Sequence, residues 1–247
     1  MDIKDKFLKM ANFFEAMLMT NHSCICCDRE IADGTAFQLC SKCRKLIVAI
    51  EGNVCSRCGE SLPEGVEICD RCKVLDREFD VNRSYTHYEE SSSNIVKGLK
   101  FGHRKYFAEN IADMICSMKE HFEGVDVLTY VPISKDRLKQ RGFNQAEEIA
   151  NGISKKLNIP VVEMLSKVAG RKHQAELSQA ERYKNLIGSF LLKNDIKDKV
   201  KGKVVMIVDD VFTTGSTLNE CAKTLKKLGP KQIKTVTFAK TKFNLSK

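Results

Sequence analysis

Two adjacent carboxylates, Asp209 and Asp210, follow an unbroken apolar run at residues 204–208. A run of this length, rich in branched side chains, predicts a buried β-strand. A short loop of hydroxyl residues and one glycine comes next, and residues 218–228 then have the pattern of a helix that ends before a Gly-Pro pair. The N–H groups and the dipole at a helix start attract an anion, while a carboxylate accepts hydrogen bonds from ribose hydroxyls. The segment therefore predicts a binding site for a sugar phosphate.

The loop after the two carboxylates supplies the candidate contacts to the phosphate. Its glycine lets the backbone approach a ligand, and its hydroxyls add hydrogen-bond donors. The segment resembles the 5-phosphoribosyl-1-pyrophosphate (PRPP) motif of type I phosphoribosyltransferases, and it contains neither a Walker A loop nor a Rossmann glycine triplet. An ordinary turn that caps a helix would account for Thr217, but not for two carboxylates beside several hydroxyls. The candidate loop residues are Phe212, Thr213, Thr214, Gly215, Ser216 and Thr217.

A second group of candidates is basic and follows the predicted strand at residues 126–131. The group consists of Lys135, Arg137, Lys139 and Arg141. Ligands of parallel α/β sheets bind beyond the carboxyl ends of the strands, where this group is expected to lie. These side chains would receive the pyrophosphate arm of PRPP, directly or through Mg²⁺. The alternative is a solvated basic turn that leads into a helix.

Two further polar stretches are candidates for ligand contacts. The first, at residues 97–106, combines Lys97, Lys100, His103, Arg104 and Lys105 with Phe101 and Tyr106. It would either contact single-stranded DNA or form a solvated helix end, and Lys100 is also a candidate contact of the phosphoribosyl ligand. The second, at residues 166–185, is long for a connection between strands, which predicts a lid. His173 within it is a weak candidate for a general base, and a solvated helical excursion is the alternative.

Eight of the eleven cysteines form four C-x-x-C pairs. Each pair can place two thiolates on one side of a tight turn, and two such turns complete a tetrahedral site for zinc. A closed site of four thiolates has no position for substrate, so one or two structural zinc ions are expected. Sequential pairing of the turns is preferred, interleaved pairing is the alternative, and Cys26 competes with Cys27. The ligands would be Cys24, Cys27, Cys40, Cys43, Cys55, Cys58, Cys69 and Cys72.

Composition and charge limit the classes of protein that remain. The formal charge of +9 falls to about +5 if two zinc ions each bind four thiolates, which does not by itself indicate a nucleic-acid protein. No apolar run is long enough to span a membrane. Residues 1–19 have the pattern of an amphipathic helix interrupted by charges, unlike a secretory signal. We therefore expect a cytoplasmic protein with reduced cysteines.

The order of predicted elements indicates an α/β fold. Strands and helices alternate after residue 126, which predicts a parallel sheet with helices on both faces. We expect a double zinc ribbon at residues 20–75 and a phosphoribosyltransferase-like domain at residues 80–247, whose first part, about 80–122, forms a hood over the site. The ribbon is too poor in apolar residues to fold without metal. Residues 161–165 are expected to form a strand, and residues 194–203 are expected to form a charged loop.

The four C-x-x-C pairs and the sequences LKFGHR, RGFNQAEEIA, QAELSQAERYKN and IVDDVFTTGSTL occur in this order. This arrangement resembles the ComF family, the competence protein F group that includes GntX-like proteins, over roughly residues 20–240. The resemblance implies a double zinc ribbon joined to a type I phosphoribosyltransferase domain, Mg²⁺ with PRPP as ligand, and Asp209 and Asp210 as catalytic residues. It also implies DNA uptake or processing with partners in the competence machinery. Phosphoribosyl transfer is an implication of fold and motif only, and the acceptor is unknown.

Overall fold

The computed structural model describes residues 23–32, 35–101, 104–168 and 188–242. The expected helix at residues 1–19, His103, His173 and most of the expected lid lie outside the described residues. None of the helices within the described ranges is both long enough and apolar enough to cross a membrane.

Six strands occur in the described part of the chain. They are β1 (Val81–His87), β2 (Val127–Tyr130), β3 (Leu165–Lys167), β4 (Phe190–Leu192), β5 (Val204–Phe212) and β6 (Gln232–Lys240). Four of them form a parallel sheet in the order β1-β6-β5-β2, which confirms the predicted α/β architecture. The other two, β3 and β4, pair antiparallel as a separate hairpin.

Helices lie on both faces of the sheet, and two short helices begin directly after Cys40 and Cys69. The α-helices of the described ranges are α1 (Ser41–Leu46), α2 (Asp70–Val74), α3 (Glu90–Phe101), α4 (Phe107–Cys116), α5 (Lys135–Arg141), α6 (Gln145–Leu157), α7 (Lys197–Val200) and α8 (Ser216–Lys226). Short 3₁₀ turns occur at Ala36–Gln38 and Lys119–Phe122. Helices α4 and α6 pack on one face of the sheet and α8 packs on the other.

The central strand β5 is buried on both faces, as its apolar run predicts. Successive side chains of a strand point to opposite faces, so Met206 and Val208 enter one core while Val205 and Ile207 enter the other. The first core also contains Cys24, Cys40 and Cys43 from the first half of the ribbon. The second core contains Cys55, Cys58 and Cys69 from the second half. Each half of the ribbon therefore packs into the core on its own side of the sheet.

Three local predictions were wrong. The strand expected at residues 161–165 is reduced to one parallel bridge between Val161 and Leu128, after which the chain enters β3. The expected loop at residues 194–203 contains α7. The basic turn after β2 is the helix α5, because the Ser134 hydroxyl accepts the Arg137 N–H at its start and Gly142 ends it with φ 79°.

Candidate functional site

The acidic pair lies near the carboxyl end of β5, at the sheet edge where parallel α/β folds bind ligands. Asp210 is buried and Asp209 is half-buried. The N–H of Asp210 donates to Oδ1 of Asp209 over 2.9 Å, which fixes the side chain of Asp209 against its own backbone. The strand continues as far as Phe212, so the pair sits on a rigid element and not in the loop.

The two carboxylates differ in their electrostatic surroundings. Nζ of Lys100 lies 2.7 Å from Oδ2 of Asp210, and both side chains are largely buried. Burial, together with the neighbouring charge of Asp210, raises the pKa of Asp209 to about 7. One carboxylate is therefore held as an ion pair, whereas its neighbour binds a proton near neutral pH.

The loop after β5 is ordered by its own hydroxyls. The hydroxyl oxygens of Thr214 and Ser216 lie 2.7 Å apart, and the N–H of Ser216 points at Oγ1 of Thr214 over 3.3 Å. The hydroxyl of Thr241 donates to the carbonyl of Thr213, which ties the loop to the end of β6. The N–H groups in the first turn of a helix have no partners within the helix, so α8 presents donors at this loop.

Gly215 shows why the loop requires a glycine. Its φ is 76°, in the left-handed region, and a Cβ at this position would lie 2.4 Å from Cζ of Phe212. Gly215 occupies the N-cap position of α8. The side chain of Phe212 is 1% exposed and packs beneath the loop, so it supports the loop from inside the core.

Basic side chains from two other elements lie near the acidic pair and interact with it electrostatically. Burial lowers the pKa of Arg141, and the charge of Arg137 lowers it further while Asp210 opposes the shift. Burial also lowers the pKa of Lys167 in β3, next to the charge of Arg137, and Asp209 opposes that shift. These shifts indicate that Arg141 lies near Asp210, that Lys167 lies near Asp209, and that Arg137 lies near both basic groups.

The RGFNQ sequence joins α5 to α6 and to the end of β2. The Asn144 amide donates to the carbonyl of Val131 over 3.0 Å, and its oxygen caps α6 by accepting the N–H of Ala146. Nη1 of Arg141 donates to Oε1 of Gln145 over 2.9 Å. Gln145 is 2% exposed, and its Nε2 has no hydrogen-bond partner among the described residues. The sequence thus fixes the turn after β2 and leaves one buried amide donor beside Arg141.

The other residues predicted to contact the ligand do not all face the acidic pair in the way the sequence suggested. Lys135 is exposed at the start of α5, and Thr217 lies inside α8, where Gly215 and not Thr217 is the cap. In the basic stretch at residues 97–106, Arg104 pairs with Asp28 and Lys105 pairs with Glu148. Three lysines and arginines of that stretch, including Lys100, are therefore engaged in ion pairs within the chain.

Sequence reasoning did not select Lys167 or Gln145 as site residues. Lys167 lies near the start of the polar stretch at residues 166–185. A lysine in such a stretch can be either a site residue or a solvated side chain, and the sequence does not distinguish the two. Gln145 belongs to the RGFNQ sequence, so the motif itself was the available signal. Its burial beside Arg141 becomes visible only when α5 and α6 are packed together.

The eight cysteines of the C-x-x-C pairs gather into two clusters of four, in the sequential grouping. The sulfur atoms of each cluster lie within 4.8 Å of one another; the clusters are Cys24, Cys27, Cys40, Cys43 and Cys55, Cys58, Cys69, Cys72. Cys26 instead donates its thiol hydrogen to the carbonyl of Ser91, 3.5 Å away. The geometry therefore favours Cys27 over Cys26 as a ligand.

The clusters fit tetrahedral zinc. Zn–S bonds of about 2.3 Å in a tetrahedron separate neighbouring sulfur atoms by about 3.8 Å. The Cys27 and Cys40 sulfur atoms are 3.8 Å apart, and those of Cys58 and Cys69 are 3.7 Å apart. Four thiolates around one ion fill its coordination sphere, so these are structural zinc sites.

Comparisons with known proteins agree with this architecture. A family model described as phosphoribosyl transferase domain matches residues 144–243, and one described as double zinc ribbon domain matches residues 16–73. Competence protein ComFC of Bacillus subtilis is 25% identical over 232 residues, covering 83% of this chain and 89% of the relative. DNA utilization protein YhgH of Escherichia coli is 27% identical over 220 residues, covering 86% and 94%.

A third relative decides the family. Competence protein F of Haemophilus influenzae is 30% identical over 233 residues, which cover 91% of this chain and 96% of the relative. Both cysteine clusters lie within the residues that the double zinc ribbon model matches. Strands β5 and β6 of the parallel sheet, with the acidic pair near the end of β5, lie within the residues that the phosphoribosyl transferase model matches. The chain therefore belongs to the ComF family, with a double zinc ribbon followed by a type I phosphoribosyltransferase-like domain.

Proposed function

We propose that this protein binds PRPP, or a related phosphoribosyl group, together with Mg²⁺. The observation that supports the proposal best is the arrangement at the carboxyl end of β5. There an acidic pair adjoins a loop of hydroxyls and helix N–H groups, Arg141 and Lys167 interact electrostatically with the pair, and Arg137 lies near both of these basic groups. Acidic groups suit ribose hydroxyls and a divalent cation, while basic groups suit phosphate oxygens.

Each part of the site would hold a different part of the ligand. The loop at residues 213–217 would bind the 5-phosphate through its N–H groups and hydroxyls. Asp209 and Asp210 would accept hydrogen bonds from the ribose hydroxyls. Arg137 and Arg141 would contact the pyrophosphate arm from the other side of the sheet edge. Lys100 would have to release Asp210 or share it with the ligand, because the two groups form an ion pair in the free protein.

If transfer occurs, the same geometry explains the chemistry. Positive charge would develop at the anomeric carbon as its bond to pyrophosphate breaks and its bond to the acceptor forms, and bound Mg²⁺ would neutralise the pyrophosphate leaving group. Asp209 and Asp210 would stabilise the cationic ring electrostatically. Phosphate binding at the remote loop would fix the reacting carbon between them.

Calorimetry with Mg·PRPP tests the binding proposal. Wild type should bind with a measurable heat, and the double variant Asp209→Ala/Asp210→Ala should lose that binding while it retains its zinc and its fold. Asp198→Ala, which removes an exposed carboxylate on α7, is the matched control and should bind as wild type does. Absence of PRPP binding by folded wild-type protein would refute the proposal.

Pyrophosphate release tests whether transfer follows binding. Wild-type protein would be incubated with Mg·PRPP and, in turn, with nucleobases, amines and single-stranded DNA as acceptors. Release that depends on one acceptor class and disappears in Asp209→Ala/Asp210→Ala would show transfer and identify the class. Binding without release for any acceptor would indicate a ligand-sensing role.

A second candidate function is single-stranded DNA binding with machinery for DNA uptake. It is favoured by the names of the relatives, which are competence proteins and DNA utilization proteins. The ion pairs of Lys100, Arg104 and Lys105 weaken the case that their stretch contacts a DNA backbone. Fluorescence anisotropy with an oligonucleotide would decide: binding that weakens with salt and survives Asp209→Ala/Asp210→Ala would establish a separate DNA function.

A further inference from the structure

Arg77 is a buried cation next to the phosphate-binding loop. It lies in the connector between the second half of the zinc ribbon and β1, and it is only 6% exposed. Arginine is rarely buried to this extent without a partner of opposite charge. Neither the PRPP-like motif nor any cysteine pair contains this residue.

Within the described ranges, the contacts of Arg77 include no carboxylate. Nη1 donates to the carbonyl of Thr214 over 3.0 Å, and the guanidinium packs on Phe79 and Phe212, with its Cζ 5.6 Å and 6.0 Å from the two ring centroids. Nε and Nη2 are buried and have no hydrogen-bond partner in the described part of the chain. A buried charge without a counter-charge destabilises a protein. An anion bound at the loop would offset this destabilisation.

The hydrogen bond to Thr214 also orients the loop. In a trans peptide the C=O and the following N–H point in opposite directions, and the described residues contain no cis peptide bond. Because the carbonyl of Thr214 points toward Arg77, the N–H of Gly215 points away from it. That N–H belongs to the cap residue of α8, where the helix dipole favours an anion.

We propose that Arg77 is a positioning residue for the phosphate of the ligand, an inference that rests on the proposed function. Arg77 holds the peptide between Thr214 and Gly215 so that its N–H faces the phosphate. Its charge, separated from the ligand by the thickness of the loop, strengthens the attraction. The residue acts through the loop and does not contact the ligand.

The second half of the zinc ribbon holds Arg77 in place. Nη1 of Arg57, which lies between two zinc-cluster cysteines, donates to the carbonyl of Arg77 over 3.3 Å. On the other side, the N–H of Glu78 donates to Oδ1 of Asn219 in α8 over 2.7 Å. The connector is thus attached at one end to the metal site and at the other to the helix that starts at the loop.

The experiment compares two ligands that occupy different parts of the site. Ribose 5-phosphate reports on the phosphate loop, and magnesium pyrophosphate reports on the basic groups of α5; both are measured by calorimetry. Arg77→Met keeps much of the packing but removes the charge and the donors, whereas Arg77→Lys keeps the charge. Arg44→Met is the control, because Arg44 is an exposed arginine of α1, in the first half of the ribbon.

We expect Arg77→Met to weaken ribose 5-phosphate about tenfold and to leave magnesium pyrophosphate within about twofold of wild type. Arg77→Lys should recover most of the lost affinity, and Arg44→Met should bind ribose 5-phosphate as wild type does. Zinc content and circular dichroism establish that each variant is folded; if Arg77→Met is not, Arg77→Gln replaces it.

Three results would overturn the inference. Wild-type affinity for ribose 5-phosphate in the folded neutral variant would show that Arg77 does not position the phosphate. Equal weakening of both ligands would show a general structural role. Absence of ribose 5-phosphate binding by wild type would overturn the proposed function as well, and the wild-type measurement alone separates that case from the other two.

Discussion

Asp209 and Asp210 are neighbours in sequence and have different chemical states. Asp210 forms an ion pair with Lys100, in which both side chains are largely buried. Among the described residues Asp209 has no cation as close, and its pKa rises to about 7, chiefly because the surrounding protein removes water from it. A ligand with hydroxyls and a divalent cation would stabilise the charged form of both.

The raised pKa of Asp209 predicts a pH dependence of stability. The pKa is higher in the folded chain than in the unfolded chain, so the folded state binds the proton more tightly. This contribution is fully present below the unfolded value near 4 and is lost as the pH rises to about 7. Asp209→Asn should therefore be more stable than wild type, with an advantage that grows up to about pH 7 and is constant above it.

Urea denaturation between about pH 5.5 and 8.5 measures this advantage. Asp198→Asn, at an exposed position of α7, should show the same pH profile as wild type. Parallel profiles for wild type and Asp209→Asn would contradict a raised pKa at this position.

The Lys100–Asp210 ion pair predicts a loss of stability when its cation is removed. Lys100→Met leaves Asp210 buried without its partner, and we expect a decrease of roughly 2 kcal/mol in the free energy of unfolding. Lys242→Met breaks an ion pair with Glu89 in which both side chains are 56% exposed, and it should change stability by less than about 1 kcal/mol. If the two variants lower the free energy of unfolding equally in urea denaturation, burial of the Lys100–Asp210 pair adds nothing to its effect on stability.

At the scale of elements, the turn from β5 into α8 depends on one backbone conformation. Gly215→Ala introduces a Cβ at φ 76°, close to Phe212 and to Nη1 of Arg77, so both strain and overlap oppose it. Gly202→Ala has a similar φ of 70° but no atom within 4 Å of the new Cβ, so it measures strain alone.

We expect Gly215→Ala to reduce stability by about 1–3 kcal/mol more than Gly202→Ala does. It should also abolish ribose 5-phosphate binding, which Gly202→Ala should retain. Thermal denaturation and calorimetry on the same samples give both quantities. If the two alanine variants bind equally well, the close packing of Gly215 is not required for the site.

The elements with strong local signals could be predicted, and those set by packing could not. β5 has an unbroken apolar run and the loop after it has a multi-residue pattern, so both were readable from sequence. α5 lacks an apolar face, and its helical state depends on a Ser134 cap and on Gly142, which a pattern search reads as a turn. The strand expected at residues 161–165 could not be excluded from the pattern alone. Pro160 has no N–H to extend the hydrogen bonding to β2, so the segment after it forms only one parallel bridge, between Val161 and Leu128. Arg77 belongs to no local pattern, and its role follows only from its distant contact with the loop.

At the scale of the whole molecule, the second half of the zinc ribbon is joined to the sheet by hydrogen bonds and an ion pair. Asn82 and Arg83 in β1 bond to backbone atoms around Cys55 and Cys58. Lys240 at the end of β6 is fully buried and pairs with Glu60, which follows the same cysteine pair. The second half of the ribbon is therefore attached to two neighbouring strands and, through Arg77, to the loop at residues 213–216.

The first half of the ribbon is attached elsewhere. The N–H of Ile50 donates to the carbonyl of Tyr85, and Asn110 in α4 donates to Oε1 of Gln38. Cys24, Cys40 and Cys43 enter the core on the face that α4 and α6 cover. The two metal clusters should therefore stabilise different parts of the domain.

Removal of one cluster at a time tests this division. Wild type should contain two zinc ions per chain, one for each cluster, and Cys58→Ser and Cys43→Ser should each contain one. Cys58→Ser releases the attachments of β1 and the connector, so hydrogen exchange should accelerate in β1 and in the loop at residues 213–216. Cys43→Ser should accelerate exchange in α4 and leave that loop protected. If hydrogen exchange accelerates in the same elements in both variants, the ribbon acts as one unit. The attachments described for its second half would then not be what orders the loop at residues 213–216.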